Sequence, residues 1–583
     1  YARLFKPDGI VFLVILAYRC NKEMRLLLPL LLAICKDAHA FAPLYSSTFS
    51  SQSSKTTERI EKEILDIQQQ KEKEARASHN NEIFNALFVS VEERKEPTLI
   101  HDVMNRPKDF PPGAFLRLGP NGGSPSDGFL DGDGMLHCVS IPPDTDAPLS
   151  YSCSYIETRG RQLEESKGKK FIGSLGSAPK GLPLLLSVLQ NMINFQVGTK
   201  DTCNTAIAQS GSRILTTMEQ SPPSEILIGK DGIIQTIQSK TNLNNAIPSN
   251  DPVTGGNFGA HGKTCPTTNE RIHVSYGSAS KPFARVDIFQ ENWEIIKSIP
   301  INDIQSPVMI HDCAITPNHI VILDFPLTIN PLRMFHNQFP VEYDAQNGAR
   351  IGLLSRHDSS IQWFETKPGV ILHTVNAYQE DEKVILHALR SEPSESSSYI
   401  SSYSTAFLHE WVMDLRSGRI VKEQCLNAEE LVEFPIIDDR FVSMQVKDCY
   451  CVGVKSIGGP LTVYNTPQEG ILLDRVLKFA LVDDASNGIK RGDVIGRFIF
   501  PSGYWGVTEP TVVPKVGDGS DGCYVIVAGT KVPEKGIKIE EMTSRLFVLD
   551  GDNLDVGAVW EFDLPYRIPY GLHSGFVPWE SLC

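Results

Sequence analysis

Four histidines in this chain share one local setting. His261 in GNFGAHGKTCP, His311 in VMIHDCAIT, His373 in GVILHTVNAYQED and His573 in PYGLHSGFVP each sit where a β-rich run meets a turn, among small or apolar neighbours. Successive members are 50, 62 and 200 residues apart. Structural zinc units keep their ligands within a few dozen residues, so this spacing excludes a local zinc module. It suits a site at the axis of a ring, to which each repeat sends one side chain. The chain has 14 histidines, so the count alone proves nothing. For any one of them taken singly, an ordinary hydrogen-bonded histidine is the better reading; the case rests on the set.

Four neutral imidazoles leave the charge of a divalent metal uncompensated. Imidazole suits iron, copper, nickel and zinc. A metal that prefers six ligands would keep positions open for dioxygen, which favours non-haem Fe(II) over a closed structural zinc. Metal-bound histidine normally donates its second N–H to a carboxylate or carbonyl. Three glutamates stand at strand ends where they can accept such a bond: Glu219 in LTTMEQSPP, Glu433 in LVEFPIIDDRF and Glu509 in GVTEPTVVP. Around the second histidine, Val308 to Ile310 read as a strand that delivers His311. Pro317 and Asn318 make the turn, and His319 starts the returning strand. Asp312 suits support of the local turn better than metal binding, and His319 is an ordinary turn residue.

The elements that must position these groups are short strands. RILTTME, RIHVSYG, HIVILDF, KVILHALR, LTVYN, CYVIVAGT and SRLFVLD recur from about Phe84 onward, each bounded by turn residues. The 44 glycines and 38 prolines serve those turns. One large all-β domain over 84–583 is expected, and a propeller manages that size best because radial repetition keeps strand edges short. No repeat of fixed period is visible. The main exception is 181–197, GLPLLLSVLQNMINFQV, apolar and of helical length: either a buried helix or an apolar patch that docks on a membrane and admits a lipid-like substrate.

Composition narrows the partners. The net charge of −15 repels a phosphate backbone, which argues against nucleic acid. The 12 cysteines form no CxxC pair, and the closest, Cys449 and Cys451, bracket one tyrosine; this is the pattern of reduced thiols. At the N-terminus, 1–23 precedes the first methionine and is of uncertain status. Residues 24–40 carry Arg25, an apolar run and an A-x-A site at Ala38 to Ala40, the layout of a signal peptide. Residues 41–55 are Ser/Thr-rich and transit-like, and 56–83 a charged helix or linker. The AHAFAP junction resembles the bipartite plastid presequence of algae with secondary plastids; plain secretion is the alternative, and the serine-rich stretch that follows favours a plastid (chloroplast) location.

Taken in order, the motifs resemble the carotenoid cleavage oxygenases. FLRLGPNGG followed by FLDGDGMLHCVSI is similar to that family's opening signature. YIETRGRQLEESKGKKFIGSLG, CNTAIAQSGSRILTTMEQSPPSEI, MIHDCAITPNHIVILDFPL, GVILHTVNAYQEDEKVILHA, LVEFPIIDDRF, YWGVTEPTVVP and PYRIPYGLHSGFVP follow in the family's order. The resemblance covers about Phe115 to the C-terminus. It implies a seven-bladed β-propeller with an α-helical dome over an iron-bearing face. It places Fe(II) on the axis, held by His261, His311, His373 and His573, with Glu219, Glu433 and Glu509 orienting three of them. His137, in the opening signature, is not expected to bind metal. One departure stands out. The family's usual Thr/Ser-Ala-His-Pro run reads Gly259-Ala260-His261-Gly262 here, which makes His273 a local competitor for the first ligand position.

The implied activity is oxidative cleavage of a C=C bond of a carotenoid or apocarotenoid by O2, giving aldehyde or ketone products. Catalysis would run through the iron, with no dedicated general acid or base. A stilbene- or phenylpropanoid-cleaving dioxygenase and a polyene isomerase are alternatives inside the family. A metal-free propeller serving as a binding platform is the alternative from another class.

Overall fold

The computed structural model describes residues 79–583 apart from 102, 122–131, 173–181, 197, 220, 238–257, 279, 292, 331–332, 334–340, 393–405, 464–465, 518–520 and 534–535. The expected segments 1–23, 24–40 and 41–55, and 56–78 of the charged linker, lie outside the described residues. A helix over 79–88 crosses the expected 83/84 boundary. Its Phe84, Leu87 and Phe88 are buried, and Phe88 stacks on Tyr570 with ring centroids 4.7 Å apart.

The strands form seven blades. The first comprises Arg94–Ile100, Gly113–Asn121, Asp133–Ile141 and Leu149–Tyr155. It takes a fifth strand, Ser574–Pro578, from the far end of the chain, in antiparallel register from Gly113 opposite Pro578 to Arg117 opposite Ser574. Blades two to five are four-stranded sheets over 206–237, 262–301, 314–366 and 370–425. The sixth and seventh share one nine-stranded sheet. Within it, Tyr504–Gly506 pairs with Leu473 on one side and with Gly529 to Lys531 on the other, linking the two blades.

Each blade places one strand nearest the axis: Ala206–Ser210, Gly262–Thr264, Ala314–Ile315, Val370–Glu380, Val432–Ile436, Thr511–Pro514 and Ser574–Pro578. All seven line a single axial cavity of about 490 Å³. Outer strands are polar. Arg419–Cys425 is RIVKEQC and largely exposed, and its charges keep that edge from pairing with another chain. Between blades lie the apolar layers. Phe479, Phe547, Trp411 and Trp293 are all but fully buried, and each contributes roughly 1.5–3 kcal/mol or more.

The helical dome is built from the link between the first two blades. Helix Arg159–Lys167 is capped by Thr158, which accepts from the Arg161 N–H, and ends at Gly168 with φ 59°. The buried Lys200 ammonium binds both Asp133 (2.7 Å) and Glu164 (2.8 Å), tying the helix to the first blade. The second helix, Leu182–Phe195, stacks Phe195 on Phe171 with ring centroids 3.9 Å apart. Its Leu182, Leu186, Leu189 and Ile193 are 53%, 56%, 47% and 83% exposed. These positions recur at three- to four-residue intervals and so form one bare apolar stripe. Among the described residues, no helix is long and apolar enough to cross a membrane.

Candidate metal centre

The ring geometry brings the four separated histidines together. One ring nitrogen from each of His261, His311, His373 and His573 lies within 4.8 Å of the others. His261 and His573 immediately precede the inner strands Gly262–Thr264 and Ser574–Pro578. His373 lies within Val370–Glu380, at a bulge where the register shifts between Ile371 and Thr374. His311 differs from expectation. Val308 makes only an isolated bridge to Thr328, and His311 sits in an irregular segment leading into Ala314–Ile315 rather than on a strand's end. The leading segment's last ladder bond is the Met309 N–H to the Leu327 carbonyl, two residues before His311, so the His311 side chain is aimed by contacts instead.

The three glutamates meet three of the imidazoles. His311 Nδ1 lies 2.6 Å from Glu219 Oε1, His373 Nδ1 2.8 Å from Glu433 Oε2, and His573 Nδ1 2.8 Å from Glu509 Oε2. Each glutamate is held in turn. Tyr276 donates its hydroxyl to Glu219 (3.2 Å), the Phe434 N–H donates to Glu433 (3.0 Å), and the Ser574 N–H donates to Glu509 (2.7 Å). A carboxylate accepts the Nδ1 proton, so the opposite nitrogen, Nε2, carries a lone pair.

Those lone pairs converge. His311 Nε2 and His373 Nε2 are 3.2 Å apart, with each Nδ1–H committed to a carboxylate. His261 has no glutamate, and its Nε2 is buried without a hydrogen-bond partner. Facing lone pairs repel, and an unpartnered buried nitrogen is costly. A shared proton would relieve one pair; a divalent cation on the axis relieves all four. The donor set therefore fits a metal of the kind imidazole favours.

Electrostatics sharpen this. Burial, and then the other three imidazoles, hold His261 far below the usual histidine range, so it is a neutral donor. Burial also lowers His373, only partly offset by Glu433. At His311 burial pulls down, but Glu219 and Asp312 outweigh it and raise the proton affinity.

The local competitor is placed elsewhere. His273 is buried against Phe258, its Nδ1 3.2 Å from the Gly259 carbonyl and its Nε2 accepting from Arg271 Nε at 3.3 Å. Its position also explains the departure after His261. A Cβ on Gly262 would lie 2.2 Å from His273 Nε2, so the ring occupies the space a proline or any side chain would need. His137 is likewise apart, its Nδ1 2.7 Å from the Tyr151 hydroxyl.

Asp312 does more than the local support expected of it. One oxygen accepts from the Cys313 N–H (2.7 Å). The carboxylate also takes the Thr374 N–H (2.9 Å) and hydroxyl (2.8 Å) and pairs with the Lys263 ammonium at 2.9 Å. It thus clamps the third, fourth and fifth blades beside three of the four histidines. Burial opposes its charge, but Lys263 and Thr374 hold its carboxyl below the usual carboxylate range. Sequence reasoning also missed Phe434, whose ring lies 5.6 Å from His373 and 5.4 Å from His573 between centroids. Its only signal was adjacency to Glu433.

A propeller whose axis gathers four imidazoles, three of them braced by carboxylates, offers a candidate metal site, and comparison with known proteins gives the family. The family described as Retinal pigment epithelial membrane protein matches residues 88–578. The chain belongs to that family, which is the family of the carotenoid cleavage oxygenases, and it is an oxidoreductase of the oxygen-incorporating kind. The chain is 28% identical over 528 residues to carotenoid 9,10(9',10')-cleavage dioxygenase 1 of Pisum sativum, covering 85% of this chain and 90% of that protein. It is 27% identical over 509 residues to the carotenoid 9,10(9',10')-cleavage dioxygenase of Crocus sativus, covering 81% and 84%. Cobalt-substituted Synechocystis ACO shares the fold at TM-score 0.65 and 20% identity, over 85% of this chain and 98% of that one. A lignostilbene dioxygenase of Pseudomonas brassicacearum fits equally well, with TM-score 0.65, 20% identity and the same coverage.

Proposed function

We propose that this protein is a non-haem Fe(II) dioxygenase that cleaves a C=C bond of a carotenoid or apocarotenoid, giving aldehyde or ketone fragments. The observation that carries the reading is the convergence of four histidine nitrogens on the axis, three of them backed by Glu219, Glu433 and Glu509. In this reading His261, His311, His373 and His573 hold the metal. Iron bound there supplies activation of O2, the hard chemistry of the reaction.

The chain's own residues do the rest. The three glutamates hold the Nδ1 protons of their histidines, which fixes the tautomer that leaves Nε2 free. Asp312 keeps the third, fourth and fifth blades in register, so His261, His311 and His373 stay aimed. Phe434 walls two of the imidazoles with an apolar ring, which shields that side of them from water. The bare stripe of helix Leu182–Phe195 would rest in the headgroup region of a membrane, where the substrate dissolves.

The curated relatives favour a carotenoid over a stilbene, since the first four are all carotenoid 9,10(9',10')-cleavage dioxygenases by name. Three further relatives are named chloroplastic. With the signal-like 24–40 and transit-like 41–55 ahead of a linker at 56–83 and the propeller at 84–583, they support a plastid location, which a fusion of 24–55 to a fluorescent protein tests. The decisive experiment for the activity is expression from Phe41 in bacteria that accumulate different carotenoids, with mass spectrometry of the products and metal analysis of anaerobically purified protein. Iron near one per chain and carbonyl fragments are expected. Protein without iron, unresponsive to added Fe(II), would return the binding-platform reading. Turnover without oxygen uptake would return the isomerase.

A further inference from the structure

The axial cavity reaches from the histidines to the surface. Its inner end is lined by His261, His373 and His573, its outer end by the exposed Gly211, Asn269 and Glu291. Its charged lining consists of four carboxylates, Glu291, Asp312, Asp439 and Glu509, against two cations, Lys263 and Arg271. Apolar side chains such as Val375 and Val577 share the lining, but a polyene drawn along it would strip water from these six charged groups, a cost that the apolar contacts do not offset. It suits a small hydrated ion.

We propose that this axial channel is the path by which the metal reaches the four histidines, separate from the apolar side on which the substrate arrives. The inference rests on the reading of those histidines as an iron site. Three observations support it. First, the channel ends on the buried, unpartnered His261 Nε2, a free ligand atom facing an incoming cation. Second, its carboxylates are unequally committed. Asp312 is matched to Lys263 and Glu509 to His573, whereas the Asp439 carboxylate accepts no hydrogen bond among the described residues. Its neighbour Asp438 is taken by Arg440 at 2.7 Å, which leaves Asp439 to the channel.

Third, Gly575 lines the channel on the inner strand Ser574–Pro578, and a Cβ there would meet nothing within 4 Å. The other described glycines with such open space all have positive φ, which alone favours glycine. At Gly575 neither the backbone nor a neighbour excludes a side chain. What a side chain would take is the bore of the channel.

The test is metal uptake by the full chain. Iron is removed by chelation, Fe(II) is added anaerobically, and bound iron is measured at intervals after rapid desalting. Gly575→Phe fills the bore, since an interior leaves little room around added volume. Uptake is expected to slow about tenfold or more, with the final iron content equal to wild type. Gly575→Ala should load at nearly the wild-type rate. Asp439→Asn, which preserves volume, should load about threefold more slowly at low ionic strength, a difference that salt erases. Wild-type rates in both Gly575→Phe and Asp439→Asn overturn the proposal. If Gly575→Phe fails to fold, as judged by circular dichroism, a wild-type rate in Asp439→Asn alone overturns it. If the wild type itself takes up no iron, the iron reading has failed, and the channel proposal falls with it by a visibly different result.

Discussion

Two histidines of the fifth blade each pair with a buried glutamate, and the pairs differ in one respect. His373, on the inner strand, gives Nδ1 to Glu433 and points Nε2 at the axis. His387, on the neighbouring strand opposite Asn376, lies 3.2 Å from Glu410 through Nε2 and has Nδ1 buried without a partner. Glu410 is further held by Lys422 (3.0 Å) and Arg491 (2.9 Å). Burial and a carboxylate are common to both. What separates a candidate metal ligand from a structural knot is which ring nitrogen the carboxylate takes, and whether the other one meets its like.

That contrast can be broken at either end. The largest effect is expected from His373→Ala or His311→Ala, which should abolish iron retention and cleavage while the protein still folds. Full iron and turnover in either variant would remove that residue from the ligand set. His387→Ala should keep its iron, measured the same way.

Next comes the structural pair. Burial alone would raise the Glu410 carboxyl, but His387, Lys422 and Arg491 together hold it down at about 2, from 4.5. A depressed carboxyl stabilises the fold above its unfolded value, and that stability is lost as pH falls through the folded value. Glu410→Gln should therefore cost about 3 kcal/mol near neutral pH. The deficit should close between pH 4.5 and about 2, as read from melting temperatures of both proteins across that range. A deficit that persists at the acid end would mean that the carboxylate's charge is not what stabilises.

A smaller effect is expected from Glu433→Gln: about 10–100-fold in metal affinity or activity, with little change in melting temperature. The smallest is on the dome. Ile193→Glu, at a position 83% exposed, should leave the fold and iron content unaltered and weaken sedimentation with lipid vesicles. Equal vesicle binding would deny that stripe a membrane role.

Much of the candidate centre was legible because its motifs occur together and in order along the sequence. An apolar run ending in a histidine, or Glu-Phe-Pro and Glu-Pro at a strand's edge, survives in the one-dimensional string. The strands and turn residues were enough for one large all-β domain, and the family resemblance supplied the seven-bladed ring. What stayed hidden depends on contacts between distant segments. Asp312 reads as a turn residue until Lys263 and Thr374, 49 and 62 residues away, are brought to it. Gly262 reads as a weakened motif until the His273 ring is seen filling its side-chain space. Phe434 has φ 52°, a left-handed conformation no sequence pattern announces for phenylalanine. The fusion of the last two blades through Tyr504–Gly506 is a pairing choice open to any short strand.

The strand Ser574–Pro578 closes the ring, and His573 directly precedes it. The fourth imidazole is therefore made 200 residues after the third. At about 5–20 residues per second, a ribosome leaves an interval of roughly 10–40 seconds. During it the chain has three imidazoles, an open first blade and an incomplete axis. Closure and the last imidazole arrive in one event, so under the proposed iron reading a newly made chain gains all four ligands only when its architecture is finished, and unfinished chains would offer the metal a poorer hold than finished ones.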